Sequence, residues 1–325
     1  MAGSAGVSAG QPSDRLAPAR PRQGNVAVLG FTRDDLTGYL FIAPWLIGFF
    51  VFTFGPFLAS LYLSFTSWDI VGPIEWVGTK NYQQMLVKDA SFWKSLLNTA
   101  YYVVFHVPGI VVIALALAVL LNQNLKLIAV YRTVFYLPAV TAGVATSIVW
   151  MWILNGQYGL LNVGLKLIGI EGPNWLYSTT WSMPALIIMS LWNVGQPMII
   201  YLAALQGVPQ HLYEAVSIDG GGNWAKFRNV TVPMITPAIF FNIIMQIIGS
   251  FQVFTSAYVV TGGGPAESTL VYVLYLYKKA FQTLTMGYAS GLAWVLFLII
   301  LAFTGVQLVT SRRWVYYEGR ADGKF

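Results

Sequence analysis

Charged side chains are scarce in this 325-residue sequence: Asp, Glu, Lys and Arg make up 9% of it, whereas 57% of the residues are apolar. A typical soluble domain carries about 25% charged residues, so this composition cannot cover a water-exposed surface. The surplus apolar residues must face lipid, in agreement with a mean hydropathy of +0.64. Soluble fold classes are excluded.

Cysteine is absent, which excludes a disulfide framework and a thiolate metal site. The two histidines, His106 and His211, lie far apart in the sequence, and we expect no metal site. His106 falls inside an apolar stretch and is interpreted as a packed or hydrogen-bonded helix residue rather than a proton relay. The phosphate-binding pattern G-x-x-x-x-G-K-[ST] is absent as well. We therefore expect this chain to bind no nucleotide and no other cofactor.

Six long stretches lack Asp, Glu, Lys and Arg entirely, and each can cross a hydrocarbon core of about 30 Å at a rise of about 1.5 Å per residue. The sequence thus predicts an all-α, polytopic integral membrane protein. The predicted spans are 38–63, 95–121, 134–154, 184–205, 235–258 and 286–309. They lie in a predicted transmembrane domain over 37–311, between a disordered tail at 1–36 and a second tail at 312–325.

The basic residues predict the orientation of these spans. Of the 18 Lys and Arg residues, twelve fall in the two tails and in the second and fourth loops, and six fall in the other loops. Cytoplasmic loops carry the excess of Lys and Arg, so both termini are expected in the cytoplasm. The loop between the fourth and fifth spans is then cytoplasmic too.

That loop, residues 207–233, predicts a helix, a break and a second helix. Pro209 suits a first helical turn, and Gly220 supplies a left-handed stop. Asn223 is expected to cap the second helix, which Pro233 ends. A short helix bearing Glu214 would then project into the cytoplasm.

The pattern Glu214-Ala215-Val216, Asp219-Gly220, Phe227 and Val230-Thr231-Val232-Pro233 resembles the EAA loop of binding-protein-dependent ABC importer permeases. In that family the loop forms the coupling helices that sit in a groove of the ATPase subunit. The resemblance implies ATPase coupling for Glu214, Ala215, Asp219, Gly220, Phe227 and Pro233. Val216 and Gly221 stand where the family usually has alanine and another small residue.

Other segments resemble the maltose-type, carbohydrate-uptake branch of these permeases, and its first permease subunit in particular. They are Trp76-Val77-Gly78, Arg132 to Pro138, Gly159 to Asn162, Asn174-Trp175-Leu176, and Phe251 to Pro265 with its Thr261-Gly262-Gly263-Gly264-Pro265 run. The resemblance covers about residues 36 to 315. It implies a type I ABC importer permease fold in a prokaryotic cytoplasmic membrane.

It also implies the partners and the activity. The chain would be a non-enzymatic transport subunit that forms half of a translocation pathway for a sugar or related polyol. It would assemble with a second permease subunit, two copies of an ATPase subunit that bind ATP and Mg²⁺, and an external sugar-binding protein. No nucleic acid is expected, and lipid surrounds the spans.

Polar side chains inside spans are costly unless they face a cavity or a partner. Amides and hydroxyls beside aromatic rings suit a neutral polyol, whose edges offer donors and acceptors. The residues expected to line a substrate pathway are Trp192, Asn193 and Gln196 in the fourth span and Asn242, Gln246, Gly249, Ser250 and Val253 in the fifth. The alternative that the amides only join helices within the bundle stays open.

Two other functional classes are weaker. An integral-membrane enzyme would need acidic or histidine groups in acid–base or metal spacing, and the acids in the predicted external loops show none. A secondary transporter commonly carries charge inside its spans to couple to ions, and the six predicted spans contain no Asp, Glu, Lys or Arg.

Overall fold

The computed structural model of this chain describes residues 33–123 and 126–316, with side chains from residue 37 onward. The chain divides into two compact units, of which the first ends at Leu58 and the second begins at Ala59. Within the described ranges nearly all regular secondary structure is helical, which confirms the predicted all-α class.

The described α-helices are, in chain order, α1 (Arg33–Phe49), α2 (Gly55–Ser64), α3 (Lys80–Val87), α4 (Ala90–Leu121), α5 (Ile128–Val140), α6 (Gly143–Ile153), α7 (Leu160–Leu167), α8 (Ser182–Leu191), α9 (Gly195–Gln206), α10 (Gln210–Ile218), α11 (Asn223–Lys226), α12 (Val232–Met234), α13 (Thr236–Phe251), α14 (Thr255–Val260), α15 (Tyr272–Tyr277) and α16 (Met286–Ser311). Turns of π-helix occupy Phe50–Phe54, Phe227–Thr231 and Lys278–Gln282. Strands β1 (Thr66–Ser67) and β2 (Glu75–Trp76) pair antiparallel, with Thr66 opposite Trp76.

The described part of the first unit consists of α1, the π-helical turn and the start of α2. No side chain described between residues 37 and 58 is buried, and large apolar side chains such as Phe41 and Phe52 are 80% and 81% exposed. A helix that is apolar on every side needs lipid or another protein chain around it.

Four helical segments are individually long and apolar enough to cross a membrane: Thr37–Ser64, Ala90–Leu121, Thr236–Val260 and Met286–Ser311. Two further pairs, α5 with α6 and α8 with α9, pass the same test together but bend by 103° and 43°. The described part of the chain therefore holds up to six spans if each bent pair is one broken span.

Both bends fall inside stretches that the sequence predicts as single spans, 134–154 and 184–205, so neither stretch is one straight helix. The first break, at Thr141 and Ala142, comes three residues after Pro138, which lies inside α5 and removes one amide donor from its last turns. The second lies just before Gly195 and Pro197. Because the backbone groups freed at such breaks need partners, breaks occur where the chain lines a cavity or packs inside protein.

Helix α4 forms the centre of the second unit, and α8, α9, α13 and α15 pack against it. Ala114 and Ala118 are fully buried in the cluster that α4 forms with Met198 and Tyr201 of α9. Small side chains let two membrane helices approach closely, so this face of α4 sets the frame on which the neighbouring helices are held.

At the start of α4, the Asp89 carboxylate joins three helices. Its Oδ1 accepts a hydrogen bond from the Phe92 amide at 3.1 Å, and its Oδ2 accepts from the hydroxyls of Tyr275 and Tyr288. The Lys279 ammonium lies 5.4 and 5.6 Å from the centroids of the same two rings. Burial acts to raise the pKa of Asp89, but the tyrosine and backbone hydrogen bonds and the Lys279 charge outweigh it and hold the pKa below its usual value.

The two predicted tails fall mostly outside the described residues, namely at 1–32 and 317–325. Residues 33–36, predicted as part of a disordered tail, belong to α1. Residues 312–316 are also ordered: the Trp314 ring packs edge-on against Phe240 at 6.0 Å, and the Tyr316 amide donates to Thr236 Oγ1 at 2.9 Å. The residues that follow α16 therefore pack against the beginning of α13 and are hydrogen-bonded to it.

Candidate functional site: a polar cavity and an exposed helical loop

A cavity of about 480 Å³ opens inside the second unit. Its wall is built from α4, from the two breaks in the bent helix pairs, and from α13 with the segment that follows it. All eight residues predicted to line a substrate pathway are on this wall: Trp192, Asn193, Gln196, Asn242, Gln246, Gly249, Ser250 and Val253. The structure thus brings together residues that the sequence singles out on two separate spans.

The spacing of Trp192, Asn193 and Gln196 predicts that they share one helical turn, but the structure separates them by a break. Trp192 follows the last residue of α8, Asn193 lies in the break, and Gln196 is in the first turn of α9. The break is what turns these three side chains toward the cavity. The Trp192 ring is half-exposed there and meets Trp150 of α6 edge-on at 6.1 Å.

The spacing of the five residues from Asn242 to Val253 predicts one stripe along a helix, but α13 carries this stripe only as far as Ser250. Helix α13 ends at Phe251, and Val253 lies in the following break before α14. The chain tightens there through hydrogen bonds between residues three apart. The Gln252 amide donates to the Gly249 carbonyl at 3.2 Å, and the Val253 amide donates to the Ser250 carbonyl at 3.4 Å. This tightening carries Val253 off the helix without removing it from the cavity wall.

Two buried hydroxyls mark the polar side of this region. Ser250 belongs to the cavity wall and Tyr201 Oη lies beside the Asn242 amide, yet neither buried hydroxyl makes a well-aligned hydrogen bond among the described residues. A buried hydroxyl without a partner costs about 1–3 kcal/mol. The Ser250 hydroxyl is fully buried, so it can reach a polar group in the cavity only if its side chain rotates.

The sequence also missed part of the wall. Tyr102, His106 and Ser190 form one side of it, and Thr146 and Ser147 contribute from α6. His106 was the only titratable group besides tyrosine in the predicted spans, so its presence was a usable signal. None of the described lining residues is Asp, Glu, Lys or Arg. The cavity therefore offers hydrogen bonds and aromatic surface without a formal charge.

The second feature is the loop after α9. Helix α10 ends in a paired hydrogen-bond cap: the Gly220 amide donates to the Ser217 carbonyl at 3.1 Å and the Gly221 amide to the Val216 carbonyl at 2.8 Å. Gly220 has a φ of +80°, the left-handed geometry that the sequence predicted for it. Helix α11 then follows after one extended residue.

The two faces of this loop differ. Tyr213 points inward and its hydroxyl lies 3.1 Å from Thr231 Oγ1, which ties α10 to the segment that leads into α13. On the other face Glu214, Ala215 and Asp219 are exposed, as ATPase-coupling residues would need to be. Phe227 and Pro233 are half-buried, and the Phe227 ring stacks on Trp224 at 5.6 Å.

Sequence reasoning missed that two large apolar side chains of this loop are exposed. Ile218 is 86% exposed and Trp224 is 71% exposed. Large apolar side chains displayed on a short polar loop are typical of a protein–protein contact. The signal was present in the sequence, because Ile218 stands three residues after Ala215 and four after Glu214, so on a helix it shares their exposed face.

Two details of the predicted loop are wrong. Asn223 is the first residue of α11 rather than its cap, since Gly222 occupies the cap position without a side-chain bond. Pro233 does not end the second helix: the chain continues through a π-helical turn and α12 to Met234. A proline in the first turn of a helix lacks only an amide that would have no partner there, so the short α12 accommodates it.

Cavity, spans and loop together define a class of protein: a multi-pass membrane transport subunit with a polar pathway in its helix bundle. The chain belongs to the family described as the binding-protein-dependent transport system inner membrane component, whose pattern matches residues 87–316. This confirms the family that the loop resembles.

Individual relatives agree. The chain is 42% identical over 294 residues to the probable ABC transporter permease protein YesP of Bacillus subtilis (strain 168). This alignment covers 89% of this chain and 95% of the relative. It is 37% identical over 286 residues to the lactose transport system permease protein LacF of Rhizobium radiobacter, covering 86% and 95%. Among solved structures it is similar to a bacterial ABC transporter involved in the import of the acidic polysaccharide alginate, with a TM-score of 0.74, 22% identity, and coverage of 86% and 96%. The last likeness shows the fold.

Proposed function

We propose that this chain is a permease subunit of an ABC importer for an uncharged sugar or related polyol, and that the cavity is its half of the translocation pathway. The observation that carries the proposal is the wall of amides, hydroxyls and aromatic rings with no charged side chain among the described residues. Sugars present hydroxyl donors and acceptors at their edges and C–H faces that stack on rings, so this wall matches them.

The relatives support the same ligand class. One is a lactose permease at 37% identity, and another is the arabinooligosaccharides transport system permease protein AraP of Halalkalibacterium halodurans at 32% identity. A cavity of about 480 Å³ is within the usual range for small-ligand sites.

The transporter is completed by other chains. A second permease supplies the other half of the pathway, two ATPase subunits bind ATP and Mg²⁺, and an external binding protein delivers the sugar. Both termini and the loop at 207–233 face the cytoplasm. The exposed face of α10 and α11, with Glu214, Ile218 and Trp224, docks on the ATPase subunit.

Closure of the ATPase dimer would then move this loop and change the side from which the cavity is open. The permease makes and breaks no covalent bond in such a cycle. Its hydrogen bonds hold the sugar in the cavity while access switches, and for this reason a single amide on the wall matters for transport.

The test is sugar uptake by the complex, purified through a tag on this chain and reconstituted in proteoliposomes with its binding protein. With ¹⁴C-labelled lactose and maltose as probes, Gln246→Leu and Asn193→Leu should each lower the uptake per ATP hydrolysed by roughly five- to 150-fold, the effect of losing one buried amide partner. ATP hydrolysis and assembly should persist because the loop is unchanged.

Gln307→Leu is the matched control, since it removes an amide from α16 that is not on the cavity wall and whose Oε1 has no partner among the described residues. Normal uptake per assembled complex in both Gln246→Leu and Asn193→Leu would contradict the proposal. Loss of assembly with unchanged uptake by the remaining complex would show instead that these amides only join helices.

A further inference from the structure

Gly249 is a glycine inside a membrane-spanning helix whose backbone does not require one. It lies two residues before the end of α13, and it is not among the glycines that have a positive φ. Glycine in a right-handed helix is less favourable than alanine, because its unfolded backbone has more freedom to lose. The conformation therefore gives no reason for glycine at this position.

Packing within the chain gives no reason either. A Cβ at Gly249 would meet no heavy atom from the rest of the described chain within 4 Å. Gly195 of α9 shows the opposite case, since a Cβ there would lie 2.7 Å from the Phe135 carbonyl oxygen of α5. The close approach of α5 explains the glycine at 195, and no such neighbour explains the one at 249.

The open space in front of Gly249 is the cavity. Gly249 is exposed and belongs to the cavity wall. A side chain on a helix leans toward the N-terminus and covers the preceding turn. At position 249 it would lean over Met245 and Gln246, which line the same cavity. The missing side chain therefore leaves a notch in the wall, bordered by Met245, Gln246 and Val253.

We propose that Gly249 is a specificity-determining residue of the pathway: the notch admits one ring of a sugar against α13, and the size of the side chain at position 249 limits which sugar passes. The border of the notch fits such a ring. Met245 and Val253 offer apolar contact to its C–H face, and the Gln246 amide offers a donor and an acceptor to its hydroxyl edge. The inference rests on the proposed function, because it concerns the same sugar pathway.

The first experiment enlarges the side chain in two steps. Gly249→Ala should assemble and should keep or raise the Tm, because alanine is the better helix former and its Cβ meets nothing. Uptake of ¹⁴C-labelled lactose and maltose per ATP hydrolysed should fall by less than about threefold in Gly249→Ala. It should fall roughly five- to 150-fold in Gly249→Leu, the usual effect of overfilling a packed site.

Gly305→Leu is the matched control. Gly305 also lies inside a spanning helix, α16, is exposed, and has no heavy atom within 4 Å of a Cβ built on it. It is not on the cavity wall. The same enlargement at this position should therefore leave the uptake per ATP hydrolysed unchanged.

The second experiment tests whether the notch is open to water and is covered by the ligand. The chain contains no cysteine, so Gly249→Cys introduces its one thiol. A small cationic methanethiosulfonate reagent reacts with thiolates that water can reach. In the purified complex it should label Gly249→Cys faster than Gly305→Cys, and saturating lactose or maltose should slow the labelling of Gly249→Cys only.

A helix of the second permease filling the notch would overturn the inference. It would appear as less second permease copurifying with Gly249→Ala and as no labelling of Gly249→Cys in the assembled complex. Equal uptake in Gly249→Leu and Gly305→Leu, with Gln246→Leu impaired, would overturn it too and leave the cavity as the sugar pathway. Normal uptake in Gln246→Leu would instead refute the proposed function itself. If Gly249→Leu does not assemble, Gly249→Ala and the labelling decide the question.

Discussion

Gly221 and Val216 are the two positions where the loop departs from the usual family pattern, and the structure shows that they face each other. A Cβ at position 221 would lie 2.5 Å from Val216 Cγ1, 2.9 Å from the Val216 carbonyl oxygen and 3.2 Å from Ala225 Cβ. Contacts below 3.0 Å force a shift of the backbone or the neighbour. Overpacking of this kind typically costs about 1–3 kcal/mol.

Gly221→Ala should therefore distort the cap of α10 and weaken docking of the ATPase subunit. Val216→Ala removes the closest contact, so the pair Val216→Ala with Gly221→Ala should recover part of the loss, with a coupling energy of about 0.5–2 kcal/mol. Recovery is expected to be incomplete, because the contact with the Val216 carbonyl oxygen remains whichever side chain is present.

The assay is the amount of ATPase subunit that copurifies with the tagged chain, together with uptake per ATP hydrolysed. Gly222→Ala is the matched control, since a Cβ there meets nothing within 4 Å. Glu214→Ala, which removes an exposed carboxylate of the proposed docking face, gives the reference for weakened docking. Independent, additive losses from Val216→Ala and Gly221→Ala would refute the reasoning that the two departures compensate each other.

Two further predictions concern the stability of the helix bundle and the orientation of the chain in the membrane. Asp89→Asn keeps the cap on Phe92 but weakens the bonds from Tyr275 and Tyr288, so it should destabilise the folded chain by about 1–3 kcal/mol, measured as a lower Tm in detergent, with Asp69→Asn as control. Because the folded-state pKa of Asp89 is lowered, this stabilisation is full above the unfolded-state value of about 3.9 and is lost as pH falls through the folded-state pKa; a gap that stays constant down to pH 3 would contradict it. Reporter fusions at residue 325 and near Gly263 should lie on opposite sides of the membrane, and the same side for both would contradict the predicted orientation.

Most of the helices were predictable because charge-free stretches about 20 residues long have few alternatives in a membrane protein. The bends were harder. Pro138 and Pro197 were visible in the sequence, but a proline in a span fixes neither the angle nor the direction of a bend, which depend on the helices packed around it. The 103° turn between α5 and α6 is therefore a tertiary property.

Only some of the residues that line the cavity were predictable, for a related reason. Amides inside apolar spans stand out in a sequence, so Asn193, Gln196 and Gln246 could be found. Ser190 could not, because serine is small and common in spans, and its significance comes only from the 2.7 Å contact with His106 across two helices. Residue type predicts which groups need a partner, and only packing shows which partner they have.

Thr236, the first residue of α13, is hydrogen-bonded both to the loop at 207–233 and to the segment that follows α16. Its hydroxyl donates to the Pro233 carbonyl at 2.7 Å and accepts from the Tyr316 amide at 2.9 Å. Helix α13 begins at this residue, and Gln246 lies ten residues further on, about 15 Å along the axis. Since an α-helix moves as a rigid body over such a length, displacement of the loop at Pro233 displaces the start of α13 and, with it, the amide on the cavity wall. In the proposed function the loop and the cavity wall are thus joined by one rigid helix, and movement of the loop against the ATPase subunit would reach the sugar site along α13.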